Sequence, residues 1–161
     1  MEFESFRLVD QLERLTLDPG RIAMRGVVPT RSTILDAHFP GHPIMPGVLM
    51  VEAMAQTSGF LLLAINKAER MPFLAEVKEA KLRAFVAPGT VLSIEADLEH
   101  EGSGYAVTHG RILRDGKRVA EAELRFRTVP FPSAELAAMT RAEMARVGIP
   151  ATAEPTDGER A

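Results

Sequence analysis

The 161-residue sequence contains no cysteine, which removes disulfides, thiolate metal ligands and cysteine nucleophiles from every reading of its chemistry. Stability must come from an apolar core, and 46% apolar with 25% charged residues is the composition of one soluble globular domain. A surplus of one charge is missing too. The 19 basic and 22 acidic side chains leave a formal net charge of −3, so nothing draws the chain to a nucleic-acid backbone and no nucleic-acid partner is expected. The opening residues Met1 to Arg7 carry acids early and lack an apolar segment. Neither a secretory signal nor a mitochondrial presequence fits, and a cytoplasmic protein is expected. Residues 48–65 come nearest to a membrane span, but they include Glu52 and Gln56 and read as a buried helix.

What is present divides into strands, one proline-rich loop and two helices. Residues 7–15 and 21–28 read as a hairpin around Asp18-Pro19-Gly20. Residues 29–46 hold Pro40, Pro43 and Pro46, each without a backbone donor, and read as a shaped loop without regular structure. Residues 48–66 contain no proline and many helix formers. The resulting helix is apolar nearly all round, so strands must cover it on most sides. Leu92, Ile94, Ala96 and Leu98 alternate with polar neighbours, the signature of a strand with one buried face. Turn residues 101–104, a strand over 105–114, the Asp115-Gly116 turn and a strand over 119–127 complete an antiparallel meander. Residues 74–86 alternate imperfectly and suggest a further, bent strand. The fold class expected is α+β, with the main domain over 1–130 and a C-terminal helix and flexible tail over 131–161, the helix capped at Ser133 and running to Val147.

The informative stretch is His38-Phe39-Pro40-Gly41-His42-Pro43-Ile44-Met45-Pro46-Gly47-Val48-Leu49. Proline stiffens the loop and glycine permits close backbone approach, so Gly47 and Val48 can present bare N–H groups at the positive end of a long helix. That suits a developing oxyanion. Glu52 stands just over one turn into the helix, and Gln56, four residues on, is placed to hold its carboxyl group. Burial would raise the glutamate's pKa and make it a general acid, while a neutral His38 would serve as general base. Blander readings exist for each residue alone. A lone loop histidine is more often an ordinary hydrogen-bonding group, and a buried glutamate can simply pair with an arginine such as Arg83.

Taken together, this loop and the following Glu52-Ala53-Met54-Ala55-Gln56 resemble the FabZ-type 3-hydroxyacyl-acyl-carrier-protein dehydratases, with weaker similarity from Leu8-Val9-Asp10 to about Arg127. The resemblance implies the hotdog fold, a long central helix wrapped by an antiparallel β-sheet. It implies that His38 and Glu52 are the catalytic pair, that the Gly47 N–H, with Val48 beside it, binds the thioester carbonyl, and that Gln56 supports Glu52. His42 falls at a variable family position and is expected to be structural or at the surface. Glutamate rather than aspartate at position 52 argues against the isomerising branch. Ala37 stands where glycine is common, the amino-terminal segment differs around Ser5-Phe6-Arg7, and Phe73 aligns near an aromatic lid position. The segments Met71-Pro72-Phe73-Leu74 and Leu98-Glu99-His100-Glu101-Gly102-Ser103-Gly104 resemble a variant that handles very-long-chain acyl groups for lipid A.

The implied reaction needs neither cofactor nor metal, because the substrate's own thioester acidifies its C2 proton. The acyl group would arrive on the phosphopantetheine arm of acyl carrier protein. Lys78, Lys81, Arg83, Arg111 and Arg114 are candidates for a basic mouth that meets this acidic partner, against the plainer reading of a solvated strand face. The family pairs protomers edge to edge, so a homodimer or a trimer of dimers is implied, with His38 of one protomer facing Glu52 of the other. A hotdog acyl thioesterase and a non-catalytic acyl-binding module are the alternatives.

Overall fold

The structure, a computed structural model, describes residues 7–150. The six strands are β1 (Gln11–Leu17), β2 (Gly20–Val27), β3 (Met71–Leu82), β4 (Val91–Gly102), β5 (Tyr105–Arg114) and β6 (Lys117–Val129). They form one antiparallel sheet in the order β1-β2-β4-β5-β6-β3. The helices are α1 (Thr33–Ala37), α2 (Gly47–Ile65) and α3 (Ala134–Val147).

Local chemistry accounts for the meander. Ser103-Gly104 and Asp115-Gly116 take positive φ at both positions, as two-residue turns between right-twisted strands require. Their flanking strands pair directly, Gly102 with Tyr105 and Arg114 with Lys117. The inner face of the sheet carries Met24, Ile94, Ile112 and Leu124, all fully buried. Leu61 and Leu62 of α2 are buried in the same core. Each such side chain contributes about 2 kcal/mol by leaving water.

α2 lies across this face. Any Cβ on Gly110 of β5 would meet Met54 Cβ at 3.0 Å, so the glycine lets helix and sheet approach closely. One polar tie crosses the interface, from Thr108 Oγ1 to Ser58 Oγ at 2.8 Å. By length and composition α2 resembles a membrane span, but most of it is buried against its own sheet. A long helix on an antiparallel sheet is the hotdog arrangement.

β3 is the far edge strand and is bent, as its imperfect alternation suggests. The pairing with β6 shifts at Leu74/Glu76 and again at Lys78/Lys81, and Glu79 has a φ of 50°. Each irregularity inserts one residue and re-aims those after it. The strand spans Met71–Leu82 rather than the expected 74–86. β1 starts at Gln11, later than expected.

Two further features differ from expectation or extend it. Residues 29–46 are not wholly irregular, because Ser32 Oγ accepts from the Ile34 and Leu35 N–H groups and starts α1. The C-terminal helix forms as expected, capped by Ser133 at its start and by Gly148 at φ 95° at its end. Met144, Val147 and Ile149 sink into the core, and Arg146 Nη2 donates to the Val9 carbonyl at 3.2 Å. The flexible tail expected beyond this helix falls mainly on residues 151–161, outside the described residues.

Candidate active site

α1 ends where the loop begins, and this fixes His38. Its backbone N–H donates to the Leu35 carbonyl at 3.1 Å and its own carbonyl accepts from Ile44 at 2.9 Å. Between those anchors Phe39 and His42 exchange backbone bonds of 3.1 and 2.9 Å, closing Pro40-Gly41 into a tight turn with Gly41 at φ 73°. The His38–Phe39 peptide bond is cis. The two rings stack at 4.2 Å. His38 is half-buried and His42 fully at the surface, and no described group bonds the His38 ring nitrogens.

Met45 donates to the Val86 carbonyl at 2.8 Å, holding the loop to the chain beyond β3. Pro46 then caps α2 without any side-chain hydrogen bond. The first N–H groups of a helix have no partner within it, so those of Gly47 and Val48 remain available. A Cβ on Gly47 would meet the end of the Leu82 side chain, so the glycine lets β3 and the helix start approach closely with Leu82 in its present position. His38, Phe39, Gly47, Met50, Leu82 and Phe85 share one cleft of about 550 Å³. The His38 side chain and the start of α2 therefore border the same space.

Glu52 occupies a second groove of about 400 Å³ with Gln56, Gly59, Leu63, Leu74 and Phe126. Gln56 Nε2 donates to Glu52 Oε1 at 3.0 Å, the support that their spacing predicts. Burial of Glu52 is not found. The carboxylate is exposed, because the Val48 and Glu52 face of α2 is left uncovered by this chain's own sheet. Neither cleft contains both His38 and Glu52.

Arg83 does not pair with Glu52. It bonds Glu121 at 2.6 Å on the outer face of the sheet, where Arg118 shares the same carboxylate at 2.7 Å. These two hydrogen bonds hold the Glu121 carboxyl below its ordinary pKa. Arg111 bonds Glu95 and Asp97, each at 2.7 Å, while Lys78 and Lys81 lie within 4 Å of Glu76 and Glu121. Arg114 differs, donating to the Phe85 carbonyl at 2.8 Å. Most of the expected basic surface is thus neutralised by ion pairs. Phe73 pairs with Arg127 on the strand face opposite to Leu74 and Phe126 and lines neither cleft of its own chain.

Leu82 and Phe85, which border the His38 cleft, carry no sequence signal that marks them. They follow the β3 irregularity, and both are unusually exposed, at 48% and 78%. Among the described residues, no three histidine or acidic side chains converge as a metal site would require.

The FabA-like domain family matches residues 2–123. The 3-hydroxyacyl-acyl-carrier-protein dehydratase FabZ of Syntrophotalea carbinolica is 40% identical over 74% of this chain and 82% of its own length. The corresponding dehydratase of Clostridium acetobutylicum is 38% identical over 76% and 86%. Among solved structures, a hypothetical thioesterase of Streptococcus pneumoniae with coenzyme A superposes at TM-score 0.60, with 14% identity over 83% of this chain and 100% of that one. The dehydratase heterocomplex ApeI:P from Xenorhabdus doucetiae gives 0.62, with 16% identity over 83% and 88%. Those structural likenesses establish the fold alone, whereas the sequence matches, with the loop and acid in place, make this chain a member of the FabA-like family and of its FabZ-type dehydratases.

Proposed function

We infer that this chain is a hydro-lyase that converts (3R)-hydroxyacyl-acyl-carrier-protein to the trans-2-enoyl thioester in fatty acid biosynthesis. The observation that carries the mechanism is the shared cleft of His38 and the uncapped start of α2. A thioester carbonyl at the Gly47 and Val48 N–H groups brings its C2 carbon beside the imidazole. His38 removes the C2 proton, the N–H groups stabilise the enolate-like charge, and Glu52 protonates the 3-hydroxyl as it leaves. The electron pair of the broken C–H bond becomes the C2–C3 double bond, and water departs. The scheme uses no redox cofactor or metal.

Because Glu52 lies in a different groove from His38 of its own chain, the working site is assigned to a homodimer. Each site would take His38 from one protomer and Glu52 from the other. The long edge of β3 supports this reading, since it is free on one side and exposes Phe73, Val77 and Leu82. An apolar, unpaired edge is a natural place for a second copy to add its own strand. A partner there would also dry the exposed Glu52. Membership of the lipid A branch is a finer proposal, supported by the segments 71–74 and 98–104.

Mixing inactive chains tests chemistry and assembly together. Wild type should release enoyl product from 3-hydroxyacyl carrier substrates by mass spectrometry, and His38→Ala and Glu52→Gln should each lose about 99% of that activity or more. Free acid as the product would instead indicate a thioesterase, and no turnover with retained binding an acyl-binding module. Unfolded and refolded together, the two variants should regain about a quarter of wild-type activity, because half the dimers would be mixed and each would hold one intact site. No recovery despite mixed dimers in native mass spectra would overturn the shared site.

A further inference from the structure

α3 begins at Ala134, beyond the end of the family match at residue 123, yet it reaches the groove that holds Glu52. Thr140 and Glu143 line that groove opposite α2. We propose that α3 is a specificity element, with Thr140 and Glu143 forming the outer wall of a channel for the substrate's acyl tail beyond Glu52. The proposal rests on the dehydratase reading above.

Three observations support it. First, the groove is continuous with the acid. Glu52, Gln56, Gly59 and Leu63 succeed one another along it, and from residue 52 to 63 the rise of about 1.5 Å per residue amounts to roughly 16 Å. Beyond Gln56 its floor is largely Phe60, Leu63, Met71, Leu74 and Phe126, suited to methylenes and to little else.

Second, Gly59 keeps the groove open without any backbone reason to be glycine. Its φ is not positive, and a Cβ there would meet only Pro72 Cγ at 3.9 Å. A glycine within a helix is about 1 kcal/mol less favourable than alanine. Empty space beside α2 is what the sequence keeps in return.

Third, the Thr140 hydroxyl and one carboxylate oxygen of Glu143 already have partners on α3. Thr140 Oγ1 donates to the Leu136 carbonyl of its own helix at 2.9 Å, and Glu143 is held by Arg146 at 2.9 Å. An acyl chain passing Thr140 would therefore strand no hydroxyl. The wall is also fixed in place, because Met144 and Val147 anchor α3 in the core.

The test compares kcat/KM for 3-hydroxybutyryl and 3-hydroxyhexadecanoyl carrier substrates in wild type, Thr140→Phe, Glu143→Phe and Gly59→Leu, with melting curves for each. Filling the groove from either side should lower the long-chain value by about tenfold or more relative to the short-chain one. Glu143 is exposed and Gly59 has room for a side chain, so these two variants serve if Thr140→Phe fails to fold. A long-to-short ratio unchanged in both α3 variants, or an equal fall at both lengths, overturns the proposal. A shift in Gly59→Leu alone also overturns it, because the tail would then occupy the groove without touching α3. Absence of enoyl product from wild type at either length removes the dehydratase reading and this inference with it.

Discussion

Gln56 holds Glu52 by a single 3.0 Å hydrogen bond across one turn of α2, and no other described group binds that carboxylate. Orientation of the proposed acid thus depends on one neutral donor. Glu52→Gln should lower dehydration by about a hundredfold to ten-thousandfold, the range of general acid–base assistance. Gln56→Leu keeps the acid but releases it, so a smaller loss is expected, of about tenfold in kcat with little change in KM. Steady-state kinetics of both variants, beside their melting temperatures, decide the matter. A Gln56→Leu enzyme with normal kcat would show that the amide does not position the acid.

The start of α2 makes a second, independent demand. Gly47→Ala pushes a methyl group against the end of the Leu82 side chain, which must turn away from its place beside the helix start at the border of the His38 cleft. Both activity and melting temperature should fall. Adding Leu82→Ala removes the obstructing atoms, so the double variant should recover part of each loss, a coupling of about 0.5–3 kcal/mol in a double-mutant cycle on stability. Strict additivity would mean that the two residues do not contact one another as described.

How much of this was legible in the sequence depended on where each signal resides. Alternation in β4 and positive-φ turn residues at 103–104 and 115–116 are local, so the meander could be read directly. The Glu52–Gln56 bond follows from helical spacing alone. α1 is hard to read because Pro29, Pro40, Pro43 and Pro46 dominate its neighbourhood, although Ser32 ahead of Ile34 and Leu35 is a usable capping signal. The bends in β3 depend on pairing with β6 and could only be suspected from broken alternation. Glu52 misled for a physical reason. An apolar helix says that every face must be covered, but not which chain covers it, and the exposed strip from Val48 to Glu52 is the part this chain leaves open.

Arg114 offers a test of carrier docking. Its guanidinium donates to the carbonyl of Phe85 at the rim of the His38 cleft, whereas the four other basic candidates lie beside carboxylates. Its charge is therefore the least neutralised of the five. Arg114→Glu should raise KM for carrier-bound substrate, more at low salt than at high salt. It should leave turnover of the same acyl group on free pantetheine unchanged. Equal KM values for wild type and variant at low salt would remove Arg114 from the docking surface.

The outer face of the sheet predicts an acid-labile component of stability centred on Glu121. Hydrogen bonds from Arg83 and Arg118 lower its pKa from the ordinary 4.5, so the folded state favours the ionised form more than the unfolded state does. A group with a depressed folded pKa contributes stability that is fully present above its unfolded value. That contribution is lost as pH falls through the lower folded value. Glu121→Gln should therefore melt below wild type at neutral pH, with the gap closing as the pH is taken below 4.5. The effect should be modest, since the pair is solvent-screened and salt weakens it. Melting temperatures across an acid series would check the sign: a gap that widened in acid would mean that the carboxyl group is favoured in its protonated form by folding, against the two arginines that face it.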